Sequence, residues 1–211
     1  MKALTKLLSI GGPAVAPDPS MDDFSELNIN GVFGNQLREF LQQRNGFFAF
    51  ESALHVFPDS VSSNIFSVQQ WNSSNLWRHE YGDLGQGAYF FAEDAFGNQF
   101  CFSNGQICSF EAETGELSNI AADLEGWANA ILNNYKVLTG HPLMHDWQVT
   151  NGAIRQGNRL MPKIPFVLGG KYSLGNIYAL DSVSAMKSRG NLALQLKDLP
   201  DGTKVEFRVV P

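Results

Sequence analysis

The sequence predicts an α+β fold: an antiparallel β-sheet (meander) packed by helices, with a C-terminal α/β extension. Three observations predict this architecture. Short runs rich in Phe, Tyr, Ile and Cys alternate with turn residues between positions 88 and 111, an amphipathic helical pattern follows them, and the chain changes character after Gly157. We divide the chain into an N-terminal strap or tail (1–20), an α+β domain (21–138) and an extension packed on it (139–211).

Composition excludes several classes of protein. The 211 residues are 44% hydrophobic and 17% charged, which suffices for a core and excludes a disordered chain. The net charge of −6 argues against nucleic acid as a partner, and no apolar run approaches the ~20 residues that span a membrane. Lys6 and Gly11-Gly12-Pro13 interrupt the N-terminal apolar stretch, so we expect no export signal and a cytoplasmic protein.

The first predicted helix is short and well bounded. Leu37, Phe40 and Leu41 recur at helical spacing and give it one apolar face. It begins near Asn35, and Asn45-Gly46 supplies a left-handed end.

A strand and a second helix are expected next. Mixed aromatic sequence leads into a strand around Leu54 to Phe57. Ser67 and Gln70 fit a capping box, in which the two side chains satisfy free backbone amides, and the box opens a helix through about Tyr81. The polar run 72–75 within that helix is typical of a helix break.

The aromatic runs predict a three-stranded antiparallel meander. Its strands are Ala88 to Ala92, Gln99 to Ser103 and Gln106 to Glu111. Asn104-Gly105 is the strongest short hairpin signal, and a two-residue loop places Cys101 directly opposite Cys108. A disulfide is geometrically conceivable there, whereas two small thiols in a reducing compartment are the ordinary interpretation.

The clearest amphipathic helix follows the meander and should cover it. Its apolar stripe consists of Ile120, Leu124, Trp127, Ile131 and Tyr135.

The extension is predicted to mix helices and strands. Gly140-His141-Pro142 begins a helix with proline at its first position. The later elements are an extended run Ile164 to Leu168, a turn at Gly169-Gly170, a second run Ile177 to Leu180, a helix from Asp181 to about Leu199, and a final strand with Val205, Phe207 and Val209 alternating.

Charge is distributed unevenly along the chain. Residues 1–154 carry 6 basic and 17 acidic side chains, and residues 155–211 carry 9 basic and 4 acidic ones. Two interpretations remain open. The acidic body could hold the basic extension by complementary charge, or it could present an acidic face that steers a basic partner.

Catalytic and metal motifs are incomplete in the sequence. Gly169-Gly170-Lys171 lacks the upstream glycine and the downstream hydroxyl of a phosphate loop. His141 and His145 are four residues apart and could share a helix face as metal ligands, but a third ligand is not apparent. A cysteine nucleophile needs an electropositive setting, which acidic surroundings do not supply. We therefore expect no catalytic residues, no metal and no cofactor.

Acidic loops and two tryptophans are the candidate contact residues. Glu93-Asp94 could be paired carboxylates for acid–base chemistry, although turn formation and a solvated rim are the simpler interpretation. Trp71 and Trp77 are six residues apart, about 240° of helix rotation, so both cannot be centred on one face. One of them could therefore be a surface anchor for a protein partner.

A family pattern runs from Leu37 to Leu138. It consists of a helix ending in Asn45-Gly46, Trp71, the strand and turn segment Ala88 to Phe102, the acidic turn segment Ser109 to Glu116, and the closing amphipathic helix. In this order the segments resemble the SUKH superfamily, which includes fungal cell-wall regulators of the Smi/Knr type and many bacterial immunity proteins. Gly97-Asn98 stands where that family usually has Gly-Asp, and residues 139–211 lie outside the match.

The resemblance implies an α+β domain without enzymatic activity. It further implies a bacterial immunity protein that neutralises a cognate secreted toxin by binding and occlusion, and the acidic charge makes a basic toxin or effector domain the expected partner. A housekeeping scaffold or regulatory interaction domain is the alternative, and a metal- or thiol-dependent enzyme is a third interpretation. The expected partner-binding residues are exposed acids with Trp77 as anchor: Glu80, Asp83, Glu93, Asp94, Glu113 and Glu116.

Overall fold

A six-stranded antiparallel sheet, with its strands in sequential order, forms the centre of the protein. The computed structural model describes residues 2–17, 32–60, 65–200 and 202–205. The strands are β1 (Phe47–Ala49), β2 (Leu54–Val56), β3 (Tyr89–Glu93), β4 (Gln99–Ser103), β5 (Gln106–Phe110) and β6 (Leu117–Ala121). This meander with its packed helices confirms the predicted α+β class.

The β4–β5 hairpin forms as its sequence predicts. Asn104 and Gly105 have φ values of 49° and 74°, the left-handed conformations that a tight two-residue turn requires. Cys101 pairs with Cys108 in the strand register, and both are buried free thiols.

Helices cover both faces of the sheet. In the described ranges they are α1 (Ala3–Ile10), α2 (Val32–Gln43), α3 (Val68–Trp71), α4 (Leu124–Leu138), α5 (His141–Asn151) and α6 (Ser182–Leu196). Short 3₁₀ helices span Arg78–Tyr81, Phe166–Leu168 and Leu174–Asn176. No helix in these ranges has the length and apolar character needed to cross a membrane.

A buried tryptophan packs on each face of the sheet. On one face, the Trp127 ring of α4 lies 6.3 Å from Phe40, 5.0 Å from Phe91 and 5.7 Å from Phe100, measured between ring centroids. On the other face, the Trp77 ring lies 5.2 Å from the Phe90 ring. Every residue of β4 is buried because it has helices on both sides.

The second predicted helix is shorter than expected. The capping box is present, since Gln70 N donates to Ser67 Oγ at 3.2 Å and Ser67 N donates to Gln70 Oε1 at 3.2 Å. The α-helix ends at Trp71, and only a 3₁₀ turn forms before Tyr81. The Asn72 side chain instead bonds the backbone of Phe90, donating to its carbonyl and accepting from its amide, which ties this loop to β3.

Sequence patterns misassigned one position of the long helix and missed the strand before it. Ile120 belongs to β6, and α4 begins at Leu124, where the Asp123 side chain accepts from Gly126 N at 2.7 Å. The edge strand β1, which precedes the predicted strand at Leu54, was also not predicted.

The extension contains a two-stranded antiparallel sheet between α5 and α6. Its strands are β7 (Asn158–Pro162) and β8 (Ile177–Asp181). The predicted α5, β8 and α6 are confirmed, but the first strand lies at 158–162, and the predicted extended run ends in a 3₁₀ helix instead. The proposed last strand includes Phe207 and Val209, which lie outside the described residues.

The N-terminal segment packs on the domain. Leu7 and Leu8 of α1 are buried where this helix meets α4, and Gly12 N donates to Phe48 O of β1 at 2.7 Å. The division of the chain at residues 20 and 138 stays a prediction. The first of these boundaries lies outside the described residues.

Candidate functional site

A row of polar side chains crosses three strands on the face that the extension covers. His55 on β2 pairs in register with Glu93 on β3, and Glu93 pairs with Gln99 on β4. His55 Nδ1 lies 3.0 Å from Glu93 Oε1, and Gln99 Nε2 lies 3.5 Å from Glu93 Oε2. Trp71 Nε1 donates to Gln99 Oε1 at 2.8 Å, so α3 closes one end of the row.

The extension contributes a buried arginine to this row. Arg159 on β7 places Nε 2.9 Å from Glu93 Oε1, a close ion pair without the alignment of a hydrogen bond. Its guanidinium also lies 5.6 Å from the centroid of the Phe48 ring, which stacks on His55 at 4.4 Å. A basic residue of the extension therefore neutralises an acid of the sheet.

The pKa shifts agree with a charged Glu93 and a neutral His55. Burial alone would raise the pKa of Glu93, but Arg159 and His55 outweigh burial, and the net result is a lowered pKa. Burial lowers the pKa of His55, which keeps the imidazole neutral near pH 7.

A second buried arginine of the extension lies against the turn after β3. Arg189 on α6 donates from Nη2 to Leu160 O at 3.2 Å. Its Nη1 lies close to Gly97, where an added Cβ would approach to 3.0 Å and where φ is +78°. The left-handed backbone conformation favours glycine at position 97.

Asp94 and Glu113 also serve the interior. The Asp94 carboxylate accepts from Phe96 N at 2.8 Å and from Asn98 N at 2.9 Å, which is turn chemistry. Burial and the neighbouring Glu111 raise the pKa of Asp94 to about 7. Glu113 Oε2 accepts from Val167 N at 2.8 Å and so holds the extension against the acidic turn, while burial raises the pKa of Glu113.

These positions correct the expected exposure of four candidate residues. All four side chains are buried, with exposed fractions of 2% for Glu93, 5% for Asp94, 2% for Glu113 and 1% for Trp77. The three acids are therefore not on the surface, and Trp77 is not a surface anchor. Glu93 is buried under Arg159, and Trp77 fills the core beneath the 3₁₀ helix. The burial of these acids could not be predicted from local sequence, because the basic extension that covers them lies far away in the chain.

Three of the expected binding residues do reach the surface near one another. Asp83 is exposed and accepts from Lys197 Nζ at 2.6 Å, which lowers the pKa of Asp83. Glu116 lines a groove of about 420 Å³ together with Lys197. Glu80, partly exposed, lies on the 3₁₀ helix just before Asp83 and pairs with His79 at 3.2 Å. We call Glu80, Asp83 and Glu116 the acidic patch.

One cluster has the donor atoms of a metal centre. Glu51, His141 and His145 each direct a ligand atom into a space where all three atoms lie within 4.8 Å of one another. The sequence argument against a metal depended on the lack of a third ligand, and Glu51 is that ligand. No local pattern signals it, because Glu51 lies 94 positions from His145.

Fold and site together define an α+β domain built on a sequential antiparallel sheet, with a C-terminal extension joined to it by the buried Arg159–Glu93 ion pair. The model of the SMI1 / KNR4 family (SUKH-1) matches residues 25–130, half of the chain. The chain belongs to this family, and the resemblance drawn from its strand and turn segments is confirmed.

The extension is shared with a solved structure. The crystal structure of Atu4351 from Agrobacterium tumefaciens is similar, with a TM-score of 0.58 and 13% identity over 90% of this chain and 89% of that chain. This coverage exceeds the family match and must include most of residues 139–211, so the fold likeness includes the extension. No curated protein matches the chain.

Proposed function

We propose that this chain is a bacterial immunity protein that acts in the cytoplasm and neutralises a cognate secreted toxin by direct binding and occlusion. Membership of the SUKH-1 family carries this proposal. The proposed partner is a basic toxin or effector domain, because the protein has a net charge of −6.

The acidic patch is the surface that best supports such binding. Glu116 lines the groove of about 420 Å³, whose lining also includes the exposed apolar side chains of Val167 and Leu199. Asp83 is joined to this groove by its ion pair with Lys197, another lining residue. Apolar contact surrounded by charged groups is the arrangement that protein interfaces use. With Trp77 in the core, Val167 and Leu199 take over the anchoring role in this proposal.

The chemistry of the cysteines argues against a thiol-dependent enzyme. Burial raises the pKa of Cys101 to about 12, so its thiol is neutral at physiological pH. Cys108 is also buried, its pKa is raised by burial, and its Sγ donates to Asn119 Oδ1 at 3.1 Å. Neither thiol has the setting of a nucleophile.

A co-expression experiment tests the function. The chain would be produced together with the toxic domain encoded beside its gene, and growth would be compared with and without it. We expect restored growth and a stable complex whose affinity falls with added salt. Continued growth arrest in the presence of folded wild-type protein would contradict the immunity function, and the absence of a toxin gene nearby would favour the scaffold alternative.

A charge-neutral variant tests the surface separately. Asp83→Asn combined with Glu116→Gln should weaken the complex roughly tenfold at low salt and leave less difference at high salt. Glu39→Gln, an exposed acid on α2 at the opposite side of the sheet, is the matched control and should bind like wild type. Equal affinity of all three proteins would place the partner elsewhere without removing the function.

A further inference from the structure

We propose that Glu51, His141 and His145 form a binding site for a divalent transition-metal cation of the Zn²⁺ class. Glu51 Oε2 lies 2.6 Å from His145 Nδ1, and Glu51 Oε1 lies 3.7 Å from His141 Nε2. Ligand atoms of a tetrahedral zinc are roughly 3.4 Å apart, since each lies about 2.0–2.1 Å from the metal. The three atoms, all within 4.8 Å of one another, need only small side-chain rotations to reach that geometry.

The backbone holds the three ligands from two separate elements. His141 and His145 lie four residues apart on α5, which directs both imidazoles to one side of the helix. Glu51 occupies the turn between β1 and β2, where Phe50, Glu51 and Ser52 have φ values of 51°, 53° and 69°. Successive left-handed residues other than glycine are unusual and cluster at functional sites.

A further contact fixes this turn to the helix. Gln148 Nε2, one helical turn beyond His145, donates to Glu51 O at 2.8 Å. Both the backbone and the side chain of Glu51 are therefore tied to α5. An ordinary surface ion pair accounts for Glu51 and His145 alone, but it does not account for His141 on the other carboxylate oxygen or for the left-handed turn.

The site is closed on one side and open on the other. The Tyr135 ring packs edge-on against His141 at 5.2 Å and stacks on Phe50 at 4.8 Å, which forms an aromatic wall. The Glu51 and His145 side chains are 53% and 47% exposed, against 20% for His141. Water can complete the coordination from the open side.

The donor set selects the class of metal. Two imidazole nitrogens and one carboxylate oxygen suit Zn²⁺, Ni²⁺, Co²⁺ or Cu²⁺, whereas Mg²⁺ and Ca²⁺ prefer oxygen ligands. A bound cation would join the β1–β2 turn to α5, two elements that lie far apart in the sequence. It would therefore stabilise the packing of the extension on the sheet.

Titration of the tag-free full chain with Zn²⁺ tests the site. We expect one saturable step per chain by calorimetry, a rise in Tm with added Zn²⁺, and at least a tenfold loss of affinity in Glu51→Gln and in His145→Gln. Both positions are about half exposed, so the variants should fold, which circular dichroism checks. The matched control is His79→Gln, an exposed histidine beside Glu80 outside this cluster, and it should bind like wild type.

Co²⁺ distinguishes this site from binding at the cysteines. Co²⁺ bound by imidazole and carboxylate lacks the thiolate charge-transfer band that coordination by Cys101 or Cys108 would produce. The expected spectrum shows ligand-field bands that disappear in His145→Gln. A thiolate band, the absence of a saturable step, or Zn²⁺ binding that is unchanged in Glu51→Gln would overturn the proposal.

Discussion

Arg159 Nε lies 2.9 Å from Glu93 Oε1, and both side chains are buried between the extension and the sheet. The arginine comes from the basic end of the chain and the glutamate from its acidic body. The charge difference between the two parts of the chain therefore forms an ion pair inside the protein, and Glu93 is not available to an external partner. Removing either member would leave the other as an uncompensated charge in the interior.

Arg159→Met should lower the free energy of unfolding by about 3–5 kcal/mol at pH 7, because Glu93 would remain buried without its cation. Urea denaturation measures the change. Arg155→Met, an exposed arginine just before β7, is the control and should change the free energy by less than about 0.5 kcal/mol. The double variant of Arg159→Met and Glu93→Gln should lose less free energy of unfolding than the two single variants combined. A loss in Arg159→Met no larger than the loss in Arg155→Met would show that the pair is not coupled.

Asp94 should make stability depend on pH. Burial and Glu111 raise the pKa of Asp94 to about 7 in the folded protein, against about 3.9 for an unperturbed aspartate. Between these values the folded state keeps a proton that the unfolded state has lost. The contribution of Asp94 is therefore fully favourable below about pH 4 and is lost as the pH rises to 7.

The Asp94→Asn variant isolates this contribution. His55, whose pKa is lowered by burial, acts in the opposite direction, because the unfolded state binds its proton first as the pH falls. We therefore compare wild type with Asp94→Asn from pH 5 to pH 8 by urea denaturation. Wild type should lose roughly 2 kcal/mol relative to the variant over this range, and parallel profiles would contradict the raised pKa.

The two cysteines should react slowly in the folded protein. Cys101 and Cys108 are buried free thiols, and burial raises the pKa of both. A thiol reagent should modify the native chain at least roughly 10³-fold more slowly than the chain in urea, since reaction requires opening of the β4–β5 hairpin. Rapid modification of the native protein would show that the hairpin is exposed to solvent.

Local sequence signals predicted the elements whose determinants are local. The Asn104-Gly105 hairpin, the Ser67 capping box and the stripe through Trp127 depend on neighbouring residues, and all three form. The edge strand β6 was missed because it is largely exposed and lacks the aromatic residues that marked β3 to β5, and β1 was missed because its three residues, Phe-Phe-Ala, do not alternate in polarity. Their pairing depends on strands elsewhere in the sheet.

The candidate site was less predictable because its determinants are distant in sequence. A glutamate in a loop pattern gives no sign that an arginine 66 positions later will cover it, as Arg159 covers Glu93. The only indication was the overall division of charge between the acidic and basic parts of the chain. Glu51 is similar, because its approach to His145 depends on a left-handed turn that contains no glycine.

Gly190 sets how closely α6 approaches the rest of the protein. A Cβ at this position would lie 2.8 Å from Tyr81 Cδ2 and 2.9 Å from the Glu80 carbonyl carbon. The carbonyl belongs to the backbone and cannot rotate away, so a side chain would push α6 off the 3₁₀ helix that carries Glu80. This close packing holds the extension beside the acidic patch.

Gly190→Val should therefore lower the free energy of unfolding by about 1–3 kcal/mol and increase proteolysis within α6. Ser188→Val, at an exposed position of the same helix, reports the cost of a β-branched residue alone and should lose less than about 1 kcal/mol. Urea denaturation and limited proteolysis measure the two effects. Equal losses in the two variants would mean that the position of α6 does not depend on the close approach at Gly190.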